Sequence, residues 1–83
     1  MEHIARTAKQ VGAAVRRERR KKSLTQTQLG NDVNLRQATV SRLEAGKDAT
    51  LLQTLLDTLT ALDLELVIRP RTKSSSKDIE DIF

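Results

Sequence analysis

Apolar residues between positions 7 and 62 recur at intervals of three and four, the spacing of one helical face. The first such segment covers residues 7–22, and two shorter segments begin near Thr25 and Arg36. The fourth covers residues 50–62 and carries a leucine stripe formed by Leu52, Leu55, Leu56, Leu59 and Leu62. The pattern therefore predicts an all-α fold of four to five helices.

Local signals mark the ends of these helices. Thr25 and Gln28 have the spacing of a capping box, in which two side chains satisfy the free N–H groups of the first turn. The same spacing recurs at Thr50 and Gln53. Gly46 suits the left-handed position that ends a helix. We therefore predict capping boxes at the second and fourth helices and a third helix that ends at Gly46.

The stretch LELVIRP, residues 64–70, alternates with a period of two and predicts a strand. An isolated strand leaves its backbone groups unpaired, and no second strand is predicted in this chain. Pairing with an identical strand across a two-fold axis supplies a partner. We therefore expect a homodimer, with Pro70 ending the pairing because it has no N–H. The predicted dimer strand contains Leu64, Leu66, Val67 and Ile68.

Composition changes after this strand, where RTKSSSK is polar and without periodicity. We predict a folded and dimerising domain over residues 1–69 and a flexible tail over residues 70–83. The tail ends in DIEDIF, whose Ile79, Ile82 and Phe83 form an apolar patch too short for a stable helix alone. This patch is either an untethered terminus or a segment that orders on a partner protein.

Composition also excludes several classes of protein. The 83 residues support one domain, and the absence of cysteine excludes disulfides and thiolate metal sites. His3 is the only histidine and has no carboxylate cluster beside it in the sequence, so we expect it to be inert or exposed. We expect no enzyme activity, metal or cofactor. No apolar run approaches the roughly 20 residues that span a membrane, and no signal peptide is recognisable, so we expect a soluble cytoplasmic protein.

Positive charge is concentrated near the start of the chain. The net charge is +4, and residues 16–22 read RRERRKK. Such a run favours a polyanionic partner, although a solvated helix face explains it equally well. Arg19 departs from the run because it lies one turn after Val15 on the apolar face. A buried guanidinium without a partner is costly, so we expect an acidic residue to meet it.

The second helix, a four-residue turn and the short third helix follow the order of a helix-turn-helix. LTQTQLGNDVNLRQATVSRLEAGK resembles the Cro and phage-repressor-like helix-turn-helix family, with a match over about residues 12–62. Gly30 stands where the family usually has Ala, and its small size still allows the two helices to cross closely. Asn34 replaces the usual turn Gly and tolerates the same left-handed conformation. The resemblance implies a lambda-repressor-like DNA-binding fold and an ion pair between Arg19 and Glu44.

A recognition helix enters the major groove and presents its outward residues to base edges. Val40 and Leu43 are expected to face the core, which leaves a polar face outward. The predicted base-reading residues are Arg36, Gln37, Ala38, Ser41 and Arg42. Gln37 is the expected main reader, because Gln can bind adenine bidentately as Arg binds guanine. The predicted phosphate contacts are Gln26, from the family resemblance, Thr39 and Lys47, and the basic residues Arg16, Arg17, Arg20 and Lys21.

QATVS, TLTALDLELVI and a tail with an aromatic end together resemble the HipB-like antitoxins. That resemblance implies an autorepressor of a type II toxin-antitoxin operon that binds an inverted-repeat operator as a homodimer. It also implies that the chain neutralises a HipA-like Ser/Thr kinase toxin, with Ile79, Ile82 and Phe83 as the toxin-binding residues. Two alternatives stay open: a stand-alone phage-type or regulatory repressor without a toxin, and an interaction module whose DNA binding is incidental.

Overall fold

The computed structural model describes residues 2–47 and 49–72. Its four helices are α1 (Ala8–Lys21), α2 (Gln26–Asp32), α3 (Gln37–Ala45) and α4 (Leu52–Ala61). The described part of the chain is therefore all-α, as predicted. No helix in these ranges is long and apolar enough to cross a membrane.

The start of α2 and the end of α3 follow from their local sequences. The Thr25 hydroxyl accepts a hydrogen bond from the Gln28 N–H at 3.1 Å, and the Gln28 Oε1 accepts one from the Thr25 N–H at 2.8 Å. The capping box predicted for α2 is thus confirmed. Gly46 follows α3 with φ of 66°, a left-handed conformation, which confirms the predicted end of that helix.

The capping box predicted for α4 is wrong. The helix begins one residue later than expected, and Leu51 at its N-cap position makes no capping hydrogen bond. Gln53 instead donates from its Nε2 to the Asp57 Oδ1 at 2.8 Å, one turn further along the helix. The Gln53 side chain is thus paired with Asp57, four residues later, and not with the Thr50 N–H as a capping box would require.

Each helix contributes to a small apolar core. Its fully buried residues are Val15, Leu29, Val40 and Leu62, and α4 approaches it through its C-terminal half. Leu52 was predicted to lie on the buried stripe, but 63% of it is exposed because the first turn of α4 extends beyond the core. Thr58 is fully buried, and its hydroxyl donates to the Thr54 carbonyl oxygen at 2.8 Å, which satisfies the polar group.

α1 crosses α3 at a position where only glycine fits. A Cβ atom on Gly12 would overlap the backbone carbonyl oxygens of Leu43 and Glu44. The two backbones therefore approach more closely than any side chain would allow. This contact, which the sequence pattern did not predict, brings the end of α3 against the middle of α1.

Residues 64–70 form no strand in the single chain, so this part of the predicted fold is not observed. The Leu64 N–H donates to the Leu59 carbonyl oxygen at 2.7 Å and closes the end of α4. Among the described residues, the backbone hydrogen bonds outside helices include none from residues 65–70. A strand is defined by pairing with a neighbour, and residues 2–47 and 49–72 offer none here. The strand and the homodimer remain predictions.

The N-terminal arm, residues 2–6, lies against α1. The His3 Nε2 and the Glu18 Oε2 are 3.1 Å apart and both side chains are largely buried, so the alternative of an exposed histidine is wrong, whereas that of an inert one stays a prediction. The Arg6 N–H also donates to the Gln10 Oε1 at 2.6 Å. At the other end of the chain, residues 73–83 lie outside the described ranges, and with them the predicted toxin-binding residues Ile79, Ile82 and Phe83.

Candidate nucleic-acid interface

The turn between α2 and α3 is held by its backbone. Asn34 adopts a left-handed conformation with φ of 58°, as the sequence indicated. The Leu35 N–H donates to the Gly30 carbonyl oxygen at 2.8 Å. A Cβ atom on Gly30 would come within 2.5 Å of the Leu35 carbonyl oxygen, so the absence of a side chain there allows the turn to pack closely against α2. The turn fixes the angle at which α3 leaves α2.

The start of α3 is exposed, whereas its inward face is buried. Val40 and Leu43 lie in the interior as predicted. Of the predicted base-reading residues, Ser41 is half-buried. The other four are exposed: Arg36, Gln37, Ala38 and Arg42. A polar first turn thus projects from the helix-turn-helix with no other described element covering it.

Arg19 and Glu44 form a buried ion pair between α1 and α3. The Arg19 Nε donates to the Glu44 Oε2 at 2.6 Å, and its Nη2 donates to the Glu44 Oε1 at 3.0 Å. Its Nη1 donates to the Leu24 carbonyl oxygen at 2.7 Å. The hydrogen bonds that it donates to Glu44 raise the pKa of the Arg19 guanidinium above its ordinary value, so the guanidinium stays charged. This pair explains why an arginine lies on the apolar face of α1.

Glu44 also contacts one predicted DNA-binding residue, Gln26, which in turn contacts a second, Gln37. The Gln26 Nε2 donates to the Glu44 Oε1 at 3.2 Å, and the Gln37 Nε2 donates to the Gln26 Oε1 at 2.5 Å. A continuous series of hydrogen bonds therefore joins Arg19 in the interior to Gln37 on the exposed turn. Sequence spacing carries no signal for it, because Gln26 and Gln37 lie on separate helices.

The remaining predicted phosphate contacts are all exposed. Thr39 lies in the first turn of α3, and Lys47 follows the turn that ends this helix. The exposed side of α1 carries a basic surface whose charged members are Arg16, Arg17, Arg20 and Lys21. Lys21 also lies 3.3 Å from the Glu18 carboxylate. Within residues 2–47 and 49–72, no cluster of three His, Cys, Asp or Glu side chains could hold a metal ion.

Comparison with known proteins agrees with this architecture. Residues 3–70 match a family described as a helix-turn-helix domain. The chain belongs to this helix-turn-helix family. Among curated proteins, none matches the sequence significantly.

Solved structures of HipB share the fold of this helix-turn-helix chain. A HipB–O4 20mer complex matches with a TM-score of 0.77 and 25% identity, over 86% of this chain and 100% of that one. A complex of a HipB variant with an O2 20mer matches with a TM-score of 0.78 and 25% identity, over 87% and 100% of the two chains. A HipA–HipB–O2–O3 complex matches with a TM-score of 0.76 and 25% identity, over 86% and 100%. The chain is thus HipB-like in fold.

Proposed function

We propose that this chain is a sequence-specific DNA-binding antitoxin and the transcriptional autorepressor of its own operon. In this proposal it binds an inverted-repeat operator as a homodimer in the cytoplasm, has no enzyme activity and neutralises a HipA-like Ser/Thr kinase toxin. The observation that carries the proposal is the exposed polar first turn of α3 in a fold shared with HipB–20mer complexes.

Base recognition is assigned to that turn because of its chemistry. The first turn of a recognition helix enters the major groove, where each base pair has its own pattern of donors and acceptors. Gln37 offers both a donor and an acceptor to one base, and Arg36 offers paired donors that suit guanine. Ala38 can contact a thymine methyl group, whereas Ser41 and Arg42 lie further along the helix.

Phosphate contacts are assigned to residues around this turn. Gln26 and Thr39 lie in the first turns of α2 and α3, and Lys47 lies beyond the C-terminal end of α3. The basic surface of α1, defined above, is proposed to meet flanking phosphates. Neutralising phosphates releases counterions, so affinity should fall steeply as salt is raised.

The homodimer is proposed from the exposed apolar side chains after α4. Leu66, Val67 and Ile68 are 52%, 63% and 92% exposed in the single chain. Three consecutive apolar residues left in water favour burial by another surface. Pairing with the same segment of a second copy would satisfy their backbone groups as well. A two-fold dimer also fits an inverted-repeat operator, whose half-sites mirror the symmetry of the protein.

The toxin is proposed from the resemblance to HipB in a HipA–HipB–O2–O3 complex. In this proposal Ile79, Ile82 and Phe83 contact the kinase. A stand-alone repressor would share the DNA-binding part of the proposal and differ only in lacking this partner.

The DNA-binding part is tested by selecting preferred sequences from randomised duplex DNA and titrating the selected duplex by fluorescence anisotropy. Gln37→Ala and Arg36→Ala should each weaken binding about tenfold and relax the preference at one base pair per half-site. Gln53→Ala, on the exposed side of α4, is the matched control and should bind as the unaltered chain does. Unchanged sequence preference in both α3 variants would contradict the assignment.

The antitoxin part is tested by co-purification with the product of the adjacent gene. We expect a kinase-sized protein that binds the full-length chain in calorimetry and loses affinity when residues 78–83 are deleted. DNA binding should be unchanged by that deletion. Intact DNA binding with no kinase partner would favour the stand-alone repressor instead.

A further inference from the structure

Glu44 lies between the interior of the domain and the residue proposed to recognise a base. Its Oε2 accepts from the Arg19 Nε, and its Oε1 accepts both from the Arg19 Nη2 and from the Gln26 Nε2. Gln26 in turn accepts from Gln37 through its Oε1. Glu44 is buried and lies at the end of α3 opposite to the exposed turn, so we expect it not to touch DNA.

The chemistry of these groups leaves one orientation for the Gln26 amide. A carboxylate bound to a guanidinium can only accept hydrogen bonds, whereas an amide has one end that donates and one that accepts. Gln26 must therefore turn its Nε2 toward Glu44. Its Oε1 then points toward α3, where it can only accept.

The orientation of the Gln26 amide determines that of the Gln37 amide. Because Gln26 presents an acceptor, Gln37 must donate to it from its Nε2. The Gln37 Oε1 and its second N–H remain available for a base. Adenine offers a donor at N6 and an acceptor at N7, the pair that these two groups complement. A base with an acceptor at the position of the adenine N6 group would face the Gln37 Oε1 and be rejected.

We propose that Glu44 is a positioning residue for base recognition. It fixes the orientation of the Gln26 amide and, through Gln26, the end of Gln37 that meets the base. This inference rests on the proposed function, because it requires that Gln37 contact a base. The ion pair with Arg19 is needed for the fold, and the effect on base preference is a second role of the same carboxylate.

Two variants separate these roles. Glu44→Gln keeps the size of the side chain but can present either end of an amide to Gln26, so the orientation is no longer imposed. Arg19→Lys weakens the same ion pair while leaving Glu44 able only to accept, and it is the matched control. Both variants are expected to be less stable than the unaltered chain, and only Glu44→Gln should alter base preference.

The readout is discrimination at the base pair identified by Gln37→Ala, measured by anisotropy with all four base pairs at that position. Glu44→Gln should lower the preference for the best base about tenfold, the size of one bidentate base contact. Arg19→Lys should change it less than about twofold. Equal losses in the two variants, or full discrimination in Glu44→Gln, would overturn the proposal.

If Glu44→Gln fails to fold, nuclear Overhauser effects in the unaltered, DNA-free protein test the orientation of the Gln26 amide instead. The Gln26 Hε2 protons should give cross-peaks to the Glu44 Hγ protons and the Arg19 guanidinium. Cross-peaks to the Gln37 side chain alone would mean a reversed amide and would overturn the inference while leaving the proposed function intact. Correct cross-peaks in a protein that selects no DNA sequence would instead overturn the proposed function, and the role of Glu44 in base recognition with it.

Discussion

Two regions of this chain contain groups that are unfavourable where they lie: a buried charge in one region and exposed apolar side chains in the other. Only the first region supplies partners for those groups. In the helix-turn-helix region, α1 to α3, a guanidinium is buried, and every one of its hydrogen bonds goes to a partner in the same chain. In residues 64–70, Leu66, Val67 and Ile68 are exposed to water, and no strand among the described residues lies beside their backbone groups. The described residues of one chain supply partners for the buried charge of the first region, but they neither cover the apolar side chains of the second region nor pair with its backbone.

This difference separates the residues that determine the folding of one chain from those proposed to determine its association with a second copy. A substitution in the helix-turn-helix region should change the free energy of unfolding of one chain. A substitution at the exposed Leu66, Val67 or Ile68 should leave that free energy nearly unchanged and alter association instead. The two kinds of measurement therefore test the comparison independently.

Glu44→Ala should have the largest effect on the single chain, because it leaves the Arg19 guanidinium buried without its carboxylate. Breaking a buried pair from one side costs about 3–5 kcal/mol, which is most of the stability of a small domain. Urea unfolding followed by circular dichroism measures the loss. Replacing both partners, Arg19→Met with Glu44→Leu, should recover much of it. A loss below about 1 kcal/mol would mean that the pair is solvated.

Gly12→Ala should destabilise the chain by about 1–3 kcal/mol, because the new methyl group meets two backbone carbonyl oxygens of α3. The sign of this change in stability distinguishes a close helix crossing from an open one, since Gly→Ala at an exposed helical position stabilises by about 1 kcal/mol. Ala13→Gly, at the exposed neighbouring position of α1, is the matched control and should lose about 1 kcal/mol through helix propensity alone. A more stable Gly12→Ala chain would show that α1 and α3 lie further apart.

Val67→Pro should leave the unfolding of the dilute, monomeric chain within about 0.5 kcal/mol, because the residue is exposed. Proline removes an N–H that pairing requires, so the variant should be monomeric in sedimentation velocity at concentrations where the unaltered chain is dimeric. Val67→Thr keeps the N–H and the branched side chain, and it should remain dimeric. A dimeric Val67→Pro chain would exclude residues 64–70 from the dimer interface.

Glu18→Gln should have a small effect that depends on pH. Hydrogen bonds from His3 and then from Lys21 hold the pKa of the Glu18 carboxyl below its ordinary value. Its contribution to stability is therefore complete above the pKa of the unfolded chain and is lost as the pH falls through the lower pKa of the folded chain. Between about pH 5 and pH 3, the unaltered chain should lose more stability than Glu18→Gln. Glu65→Gln, at an exposed carboxylate, is the control, and identical acid profiles for all three chains would contradict the contact with the N-terminal arm.

The helix-turn-helix region could be predicted from the sequence because its signals are local or chemically unusual. Thr25 and Gln28 lie within one turn, so their capping box depends on little else. Arg19 on an apolar face required an acid, and the family resemblance supplied Glu44. The box at Thr50 was wrong because Asp57, a competitor one turn away, binds the Gln53 amide.

Other features depend on how distant segments meet. The close crossing at Gly12 and the bond from Gln37 to Gln26 follow from the packing of α1, α2 and α3, which no pattern along the chain encodes. His3 reaches Glu18, fifteen residues away, for the same reason. The strand predicted over residues 64–70 has a clear alternating pattern, yet its formation requires backbone partners that the described part of one chain does not provide.

The most direct test of the whole account is the mass of the complex formed with DNA, measured by sedimentation velocity on a duplex selected from a randomised pool. We predict two protein chains on each duplex, an inverted repeat in the selected sequence, and one chain or none on a duplex cut to a single half-site. A single chain on the full duplex, with no symmetry in the selected sequence, would contradict the account of a helix-turn-helix that is complete in one chain and recognises DNA as a dimer.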